Sequence, residues 1–310
     1  MKILLLGANG QVGFELARAC APLGELVCAT RSGVLASGAH GVVADLAHPG
    51  SLSAVLDAAN ADIVINAAAY TAVDRAEDEA ESAHLCNAAA VAHIAGWAAA
   101  RKALVVHYST DYVFDGEGKR PYREDDPTAP LGVYGHSKLA GETALRSAGS
   151  DHVIFRTAWV YAARGNNFLR TMLRLGRERD QLRVVHDQRG APTSARLIAS
   201  ATALAIARMY ARRAADRKRF LGTYHLCADG EATWFEFAAA IFAQAQAAGL
   251  LERLPELVPI TTPEYPTKAR RPAYSVLDST KFRATFGLHL PAWQEGLETV
   301  IGELATVAQR

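Results

Sequence analysis

The chain has 310 residues, half of them hydrophobic and 21% charged, with 33 Lys and Arg against 32 Asp and Glu for a formal net charge of +1. That balance supplies a large core and argues against a general nucleic-acid binder, whose phosphate contacts need a clustered basic excess. No apolar run reaches membrane-spanning length, the apolar stretch after Lys2 is too short for a secretion signal, and Cys20, Cys28, Cys86 and Cys227 show no disulfide or metal-ligand spacing. The expectation is a cytoplasmic protein with reduced thiols, no membrane contact and no nucleic-acid partner.

In chain order, short apolar or β-branched runs at residues 2–6, 26–30, 41–45, 62–66, 104–109, 153–157 and 183–185 read as strands. Helical periodicity covers 11–23, 51–59, 77–100, 134–148 and 168–177 between them. Several strands are apolar throughout, as in a sheet covered by helices on both faces. Regular alternation implies right-handed crossovers and therefore an α/β fold, a doubly wound, Rossmann-like parallel sheet. After about residue 160 the rhythm loosens. Residues 191–194 read as a loop whose Ser194 caps a helix running to Tyr210, and the basic cluster 212–219 as the solvated end of that helix. A strand at 223–227 and an apolar helix at 234–248 follow. Five prolines between Leu254 and Pro272 predict an irregular, exposed stretch, and Pro291 opens a final helix. The expected division is a dinucleotide-binding domain over 1–160, rejoined by later segments around 183–230, and a smaller, discontinuous C-terminal substrate lobe mainly from 161–310.

Gly7-Ala8-Asn9-Gly10-Gln11-Val12-Gly13 follows the first strand and opens the first helix, with spacing G-x-x-G-x-x-G. Glycines allow a tight turn and close backbone approach, and free helix N–H groups receive a pyrophosphate, so Gly7, Asn9, Gly10, Gln11, Val12 and Gly13 form a candidate dinucleotide cradle. The second strand ends at Thr30-Arg31-Ser32, where an NAD site usually carries an acid for the ribose 2′-hydroxyl. The Arg31 guanidinium suits a 2′-phosphate instead, so NADPH is the expected cofactor, with NADH use left open. Asp45, followed by Leu46, either accepts from an adenine amino group or caps a helix. Ala67-Ala68-Ala69-Tyr70 ends the fourth strand, and its small side chains leave room for the cofactor's backbone or pack as plain core.

Tyr134-Gly135-His136-Ser137-Lys138 places a phenol and an ammonium four residues apart, on one helix face. Ser109-Thr110-Asp111-Tyr112 follows an apolar strand, which puts Thr110 at the same crevice beyond the strand ends. The Lys138 ammonium is expected to lower the pKa of Tyr134. That tunes the phenol for proton transfer with a carbonyl oxygen, which Thr110 also hydrogen-bonds, while hydride moves to or from a nicotinamide.

With these strings the chain resembles the extended short-chain dehydrogenase/reductase superfamily and, within it, the dTDP-4-dehydrorhamnose reductase family. The likeness also rests on Asn66-Ala67-Ala68-Ala69-Tyr70-Thr71-Ala72-Val73-Asp74, Arg156-Thr157-Ala158-Trp159-Val160-Tyr161, Asn166-Asn167-Phe168, Asp187-Gln188-Arg189-Gly190-Ala191-Pro192-Thr193 and Arg271-Pro272-Ala273-Tyr274-Ser275-Val276-Leu277-Asp278. It implies reduction of the 4-keto group of dTDP-4-dehydro-6-deoxy-L-mannose to dTDP-L-rhamnose, for cell-surface polysaccharide. Tyr134 is then the acid, Lys138 holds the nicotinamide ribose and Thr110 polarises the ketone. Asp111, Tyr112 and Trp159 fall on the sugar side, and Asn166 and Arg271 on the nucleotide diphosphate. From the residues alone, Trp159 is equally a core indole and Arg271 one more exposed arginine.

Dehydratases of related sugar nucleotides follow the threonine with Asp-Glu, whereas Tyr112 follows Asp111 here, so the second carboxylate needed for water elimination is missing. Some members of the reductase family are dimers bridged by magnesium through glutamates. Glu15 is present, but Ser194-Ala195-Arg196 puts a cation where a glutamate is expected, so no metal is predicted and a homodimer is left open. Competing readings are a non-catalytic NADP-binding regulatory subunit, disfavoured by the complete set of Thr110, Tyr134 and Lys138, and a sugar-nucleotide epimerase or dehydratase.

Overall fold

The computed structural model describes residues 1–308. The first strand, β1 (Lys2–Leu6), is buried from Ile3 onward, a pattern that suits the middle of a sheet covered on both faces. The chain turns at Gly7 into α1 (Gln11–Cys20), returns as β2 (Glu25–Thr30) and β3 (Val42–Val43), and passes through α2 (Pro49–Ala59) to β4 (Ile63–Asn66). Two short helices, α3 (Val73–Ala76) and α4 (Ala80–His84), a π-helical turn over Leu85–Ala89, and α5 (Ala90–Arg101) then lead to β5 (Leu104–Thr110), every residue of which is buried. Next come α6 (Val133–Ser147) and β6 (His152–Thr157). The single helix expected over 77–100 is thus interrupted. The π turn leaves Asn87 free to accept from Tyr70 N at 2.9 Å and to donate to Tyr70 O and Ser137 Oγ at 3.0 Å, bonds that a continuous helix face does not offer.

Beyond β6 lie α7 (Phe168–Glu178), β7 (Gln181–Val185), α8 (Ala195–Tyr210), β8 (Gly222–His225), α9 (Trp234–Ala247), β9 (Glu256–Ile260), α10 (Thr280–Phe286) and α11 (Trp293–Ala308). The caps are legible in the chain. Asn167 Oδ1 accepts from Arg170 N, Ser194 Oγ from Leu197 N, and Thr233 with Glu236 forms a capping box. The central sheet is parallel with order β8-β6-β5-β4-β1-β2-β3, so the winding reverses between β1 and β4 and opens a crevice at their carboxyl ends. One apolar core lies under α1, α8 and α10, and a second under α2 and α5 on the opposite face. A third fills the space among α7, α9 and α11.

Three further elements depart from expectation. β7 does not join the main sheet but pairs in parallel with β9. β9 itself lies inside the proline-rich stretch expected to be irregular; its Pro259 is tolerated because the two-stranded sheet consists of edges alone. The basic cluster is not the end of α8 but a separate 3-10 helix, Ala214–Phe220, anchored by buried Phe220. Among the described residues no helix is long and apolar enough to cross a membrane.

Candidate active site

Gly7 follows β1 with φ +80°, and a Cβ there would lie 2.7 Å from Ala68 N. A Cβ on Gly13 would lie 2.0 Å from Gly7 O, so both glycines let the first helix, the turn and the end of β4 approach as bare backbone. Gly10 is the N-cap of α1 and no side chain caps that helix, which leaves the first-turn N–H groups pointing at the crevice. Asn9 donates from Nδ2 to Val34 O and accepts from Ala36 N, both at 2.8 Å, pinning the loop that follows the exposed Arg31. Gln11 leans the other way, its Oε1 accepting from Asn167 Nδ2 at 2.8 Å, while Val12 is half-buried.

Asp45 Oδ1 accepts from Ala47 N at 3.0 Å, and Oδ2 lies 3.4 Å from His48 Nδ1. The N-cap of α2 is His48, so Asp45 closes a local turn and is not a helix cap. Leu46 is buried beneath it. Ala67 and Ala68 are half-buried and Ala69 exposed at the end of β4, and the Tyr70 hydroxyl turns outward to donate to Glu79 Oε2 at 2.6 Å.

Thr110 closes β5 opposite Thr157 of β6. Its hydroxyl donates to Asp111 Oδ1 at 2.9 Å and accepts from Tyr112 N at 3.2 Å. Asp111 is buried, its Oδ2 has no hydrogen-bond partner among the described residues, and burial lifts its carboxyl to about 6. Tyr134 and Lys138 share one face of α6, as their spacing predicts. The helix start that carries them is capped by a distant side chain, Glu77 Oε1, which accepts from Val133 N at 3.0 Å. The rings of Tyr112 and Tyr134 meet edge to face at 5.6 Å.

The electrostatics correct one expectation. Burial raises the Tyr134 phenol above its ordinary value, and the Thr110 hydroxyl only partly offsets this. The Lys138 amine is bound at β5, where Nζ donates to Tyr108 O at 2.6 Å and lies 3.4 Å from His107 Nε2. Burial brings Lys138 itself down to about 8.

On the lobe side, Trp159 has φ +47°, a strained conformation for an indole-bearing residue. Its ring stacks on Trp234 with centroids 3.5 Å apart, and Trp234 Nε1 donates to Gln188 Oε1 at 3.2 Å. Gly190 lies so close to the Trp159 indole that a Cβ would stand 2.4 Å from it. Arg271 crosses from the lobe, donating to Tyr112 OH at 2.9 Å and to Asp74 Oδ2 at 2.6 Å. The Asn166 side chain is exposed, whereas its neighbour Asn167 is taken up in capping α7. Away from this crevice, Arg196 places Nη2 2.6 Å from Glu303 and Nε 3.6 Å from Glu15.

Thr110, Asp111, Tyr112, Tyr134, Lys138 and Arg271 therefore come together, and the glycine turn with Ala67 and Ala68 lies at the neighbouring strand ends. Motif reading passed over Asn66, Glu77, Asn87, His107, Glu142 and Trp234. A signal existed for two of them: Asn66 is a polar residue closing an otherwise apolar strand, and His107 follows the apolar run Leu104-Val105-Val106 within one.

A family model described as the RmlD substrate binding domain matches residues 1–306. The chain is 48% identical over 308 residues to dTDP-4-dehydrorhamnose reductase of Escherichia coli strain K12, covering 99% of each. A crystal structure of a dTDP-4-dehydrorhamnose reductase from Clostridium acetobutylicum is similar at 35% identity and TM-score 0.86, covering 100% of both chains. Another, from Bacillus anthracis in complex with NADP, is similar at 33% identity and TM-score 0.83, covering 98% of this chain and all of that one. The chain belongs to the dTDP-4-dehydrorhamnose reductase family.

Proposed function

We propose that this protein reduces the 4-keto group of dTDP-4-dehydro-6-deoxy-L-mannose to dTDP-L-rhamnose with NADPH, in the cytoplasm. The observation that carries the reading is that the buried Tyr134 phenol meets the Thr110 hydroxyl at the carboxyl end of β5 while Lys138, one turn along α6, donates to Tyr108 O of the same strand, beside a turn whose Gly7 and Gly13 leave no room for a Cβ. The uncapped start of α1 suits a pyrophosphate, and exposed Arg31 at the end of β2 suits a 2′-phosphate. Gly7 to Gly13, Asp45, Leu46 and Ala67 to Tyr70 border that cleft, and the pieces of 161–310 outside the main sheet supply most of the sugar lobe. NADPH supplies the hydride when bound.

The residues of the chain then account for the proton. A phenol whose pKa is raised stays protonated at neutral pH, the state that a reduction needs in its acid. Tyr134 gives that proton to the ketone oxygen as charge develops on it, and the Thr110 hydroxyl hydrogen-bonds the same oxygen. The unpartnered Asp111 Oδ2 accepts from a sugar hydroxyl, and the Trp159 indole, braced by Trp234, supplies an apolar wall for the ring. Arg271, already charge-paired with Asp74, and Asn166 serve the diphosphate.

The test is incubation with the dTDP-4-keto sugar and NADPH, followed by loss of reduced-nicotinamide absorbance. One NADPH is consumed per sugar reduced, whereas an epimerase yields an isomer with no net oxidation and a binding-only subunit does neither. Tyr134→Phe lowers turnover by about 100-fold or more while cofactor binding persists. Near-normal turnover in that variant removes Tyr134 as the acid.

A further inference from the structure

Beneath the crevice three polar side chains, from β4, β5 and α6, stand in a row and share almost no contact with solvent: Asn66 is 1% exposed, His107 0% and Lys138 2%. They are linked in order. Asn66 Oδ1 accepts from Ala68 N at 3.2 Å, and Asn66 Nδ2 lies 3.2 Å from His107 Nδ1. His107 Nε2 lies 3.4 Å from Lys138 Nζ. The first link fixes the rest. A backbone N–H can only donate, so the Asn66 oxygen must face Ala68 and its amide N–H must face the imidazole. His107 Nδ1 is then an acceptor, and a neutral ring carries its proton on Nε2, directed at the lysine. Burial and the nearby amine keep the ring neutral, holding His107 well below the usual histidine range.

We infer that His107, locked by Asn66 as its Nε2–H tautomer, is a positioning residue for Lys138, presenting a hydrogen-bond donor to the amine. This rests on the reading of Lys138 as a cofactor-side residue. A charged ammonium meets a donor there and turns its own N–H to Tyr108 O, whereas a neutral amine offers its lone pair to the imidazole. Lys138 is therefore a group that can release its proton rather than a permanent charge. The other groups around it are few. Glu142 lies one turn further along α6, bound to Arg156 of β6 and to Arg146; Tyr134 lies one turn back; His152 of β6 acts on His107. The row begins at Ala68, which Gly7 of the cofactor turn nearly touches, so the two halves of the site share one buried polar line.

The test needs no substrate. In histidine-labelled protein the nitrogen spectrum, assigned with His107→Gln, shows His107 as the neutral Nε2–H form from about pH 5 to about pH 9. A proton on Nδ1, or a ring that titrates in that range, overturns the inference. Asn66→Asp keeps the Ala68 bond and accepts from Nδ1–H, which turns Nε2 into an acceptor for the ammonium. In lysine-labelled protein the Lys138 side-chain carbon, assigned with Lys138→Arg, then titrates about one pH unit higher, a tenfold tighter hold on its proton. His107→Gln, which can turn its carbonyl to the amine, moves that midpoint in the same direction and serves if Asn66→Asp does not fold. An unmoved midpoint in a folded variant refutes control of Lys138 by His107. If the tautomer stands and no ketosugar is reduced, the proposed activity fails and the wiring holds.

Discussion

Asp111 is kept at a cost to the fold. Its carboxyl is 2% exposed, Oδ1 accepts from Thr110, Oδ2 has no hydrogen-bond partner among the described residues, and burial lifts it from an ordinary 3.8 to about 6. A folded-state pKa above the unfolded one means that the native protein holds this proton more tightly. The associated stability is present below about pH 4 and is lost as pH rises through about 6, a change of at most about 3 kcal/mol. Asp111→Asn removes the ionisation, so it is expected to raise the melting temperature at pH 7.5 by several degrees and to change it little near pH 4. Calorimetry of both proteins at the two pH values decides this, and an equal gain at both shows that the penalty is not one of charge. A residue that weakens the fold under working conditions is retained for its site, which fits a buried oxygen awaiting a sugar hydroxyl.

At the scale of elements, α6 carries the reacting pair, and a buried ion pair fixes it on the sheet. Arg156 of β6 donates from Nε and Nη2 to the two oxygens of Glu142 at 2.8 and 2.7 Å, with both residues almost fully buried. Arg156→Met strands a buried carboxylate whose remaining ion-pair partner among the described residues is Arg146, on the exposed side. It is expected to cost about 3–5 kcal/mol in urea unfolding, whereas Glu142→Leu with Arg156→Met recovers most of the loss, since a packed apolar pair avoids the desolvation. Equal losses in the single and double variants assign the cost to packing. How far this was readable depends on range. The strings that build β1, β5, α1 and α6 are local, and their periodicity and glycine turn give β1, β5 and α6 within a residue and α1 to within three. The break in the helix over 77–100 is not local. It answers to Tyr70 and Ser137, 17 and 50 residues away from Asn87, and the cap of α6 comes from Glu77, 56 residues before it.

For the molecule as a whole, the same limit separates the two lobes. Alternating strands and helices force the parallel sheet, because each crossover has one permitted hand, so the crevice position follows from the sequence order alone. The pairing of β7 with β9 has no such rule behind it, and its prolines pointed away from a strand. Charge reaches across the crevice beside the apolar cluster that packs Val113, Phe114 and Tyr122 on Leu277. Arg271 holds Asp74 and Tyr112, while Lys268 meets Asp78 on the same flank. Half-buried Arg271 is thus committed to a carboxylate that a diphosphate can replace, since both are oxyanions suited to its planar fork. If it serves the diphosphate, Arg271→Ala raises KM for the nucleotide sugar about tenfold or more and lowers kcat much less, because the lost contact is made equally in the ground and transition states. Asp74→Asn frees the guanidinium without removing it, so its KM stays at or below that of the parent protein. Steady-state kinetics on the two variants separate binding from architecture: a clasp that only holds the lobes together suffers in both, whereas a phosphate ligand suffers in Arg271→Ala alone.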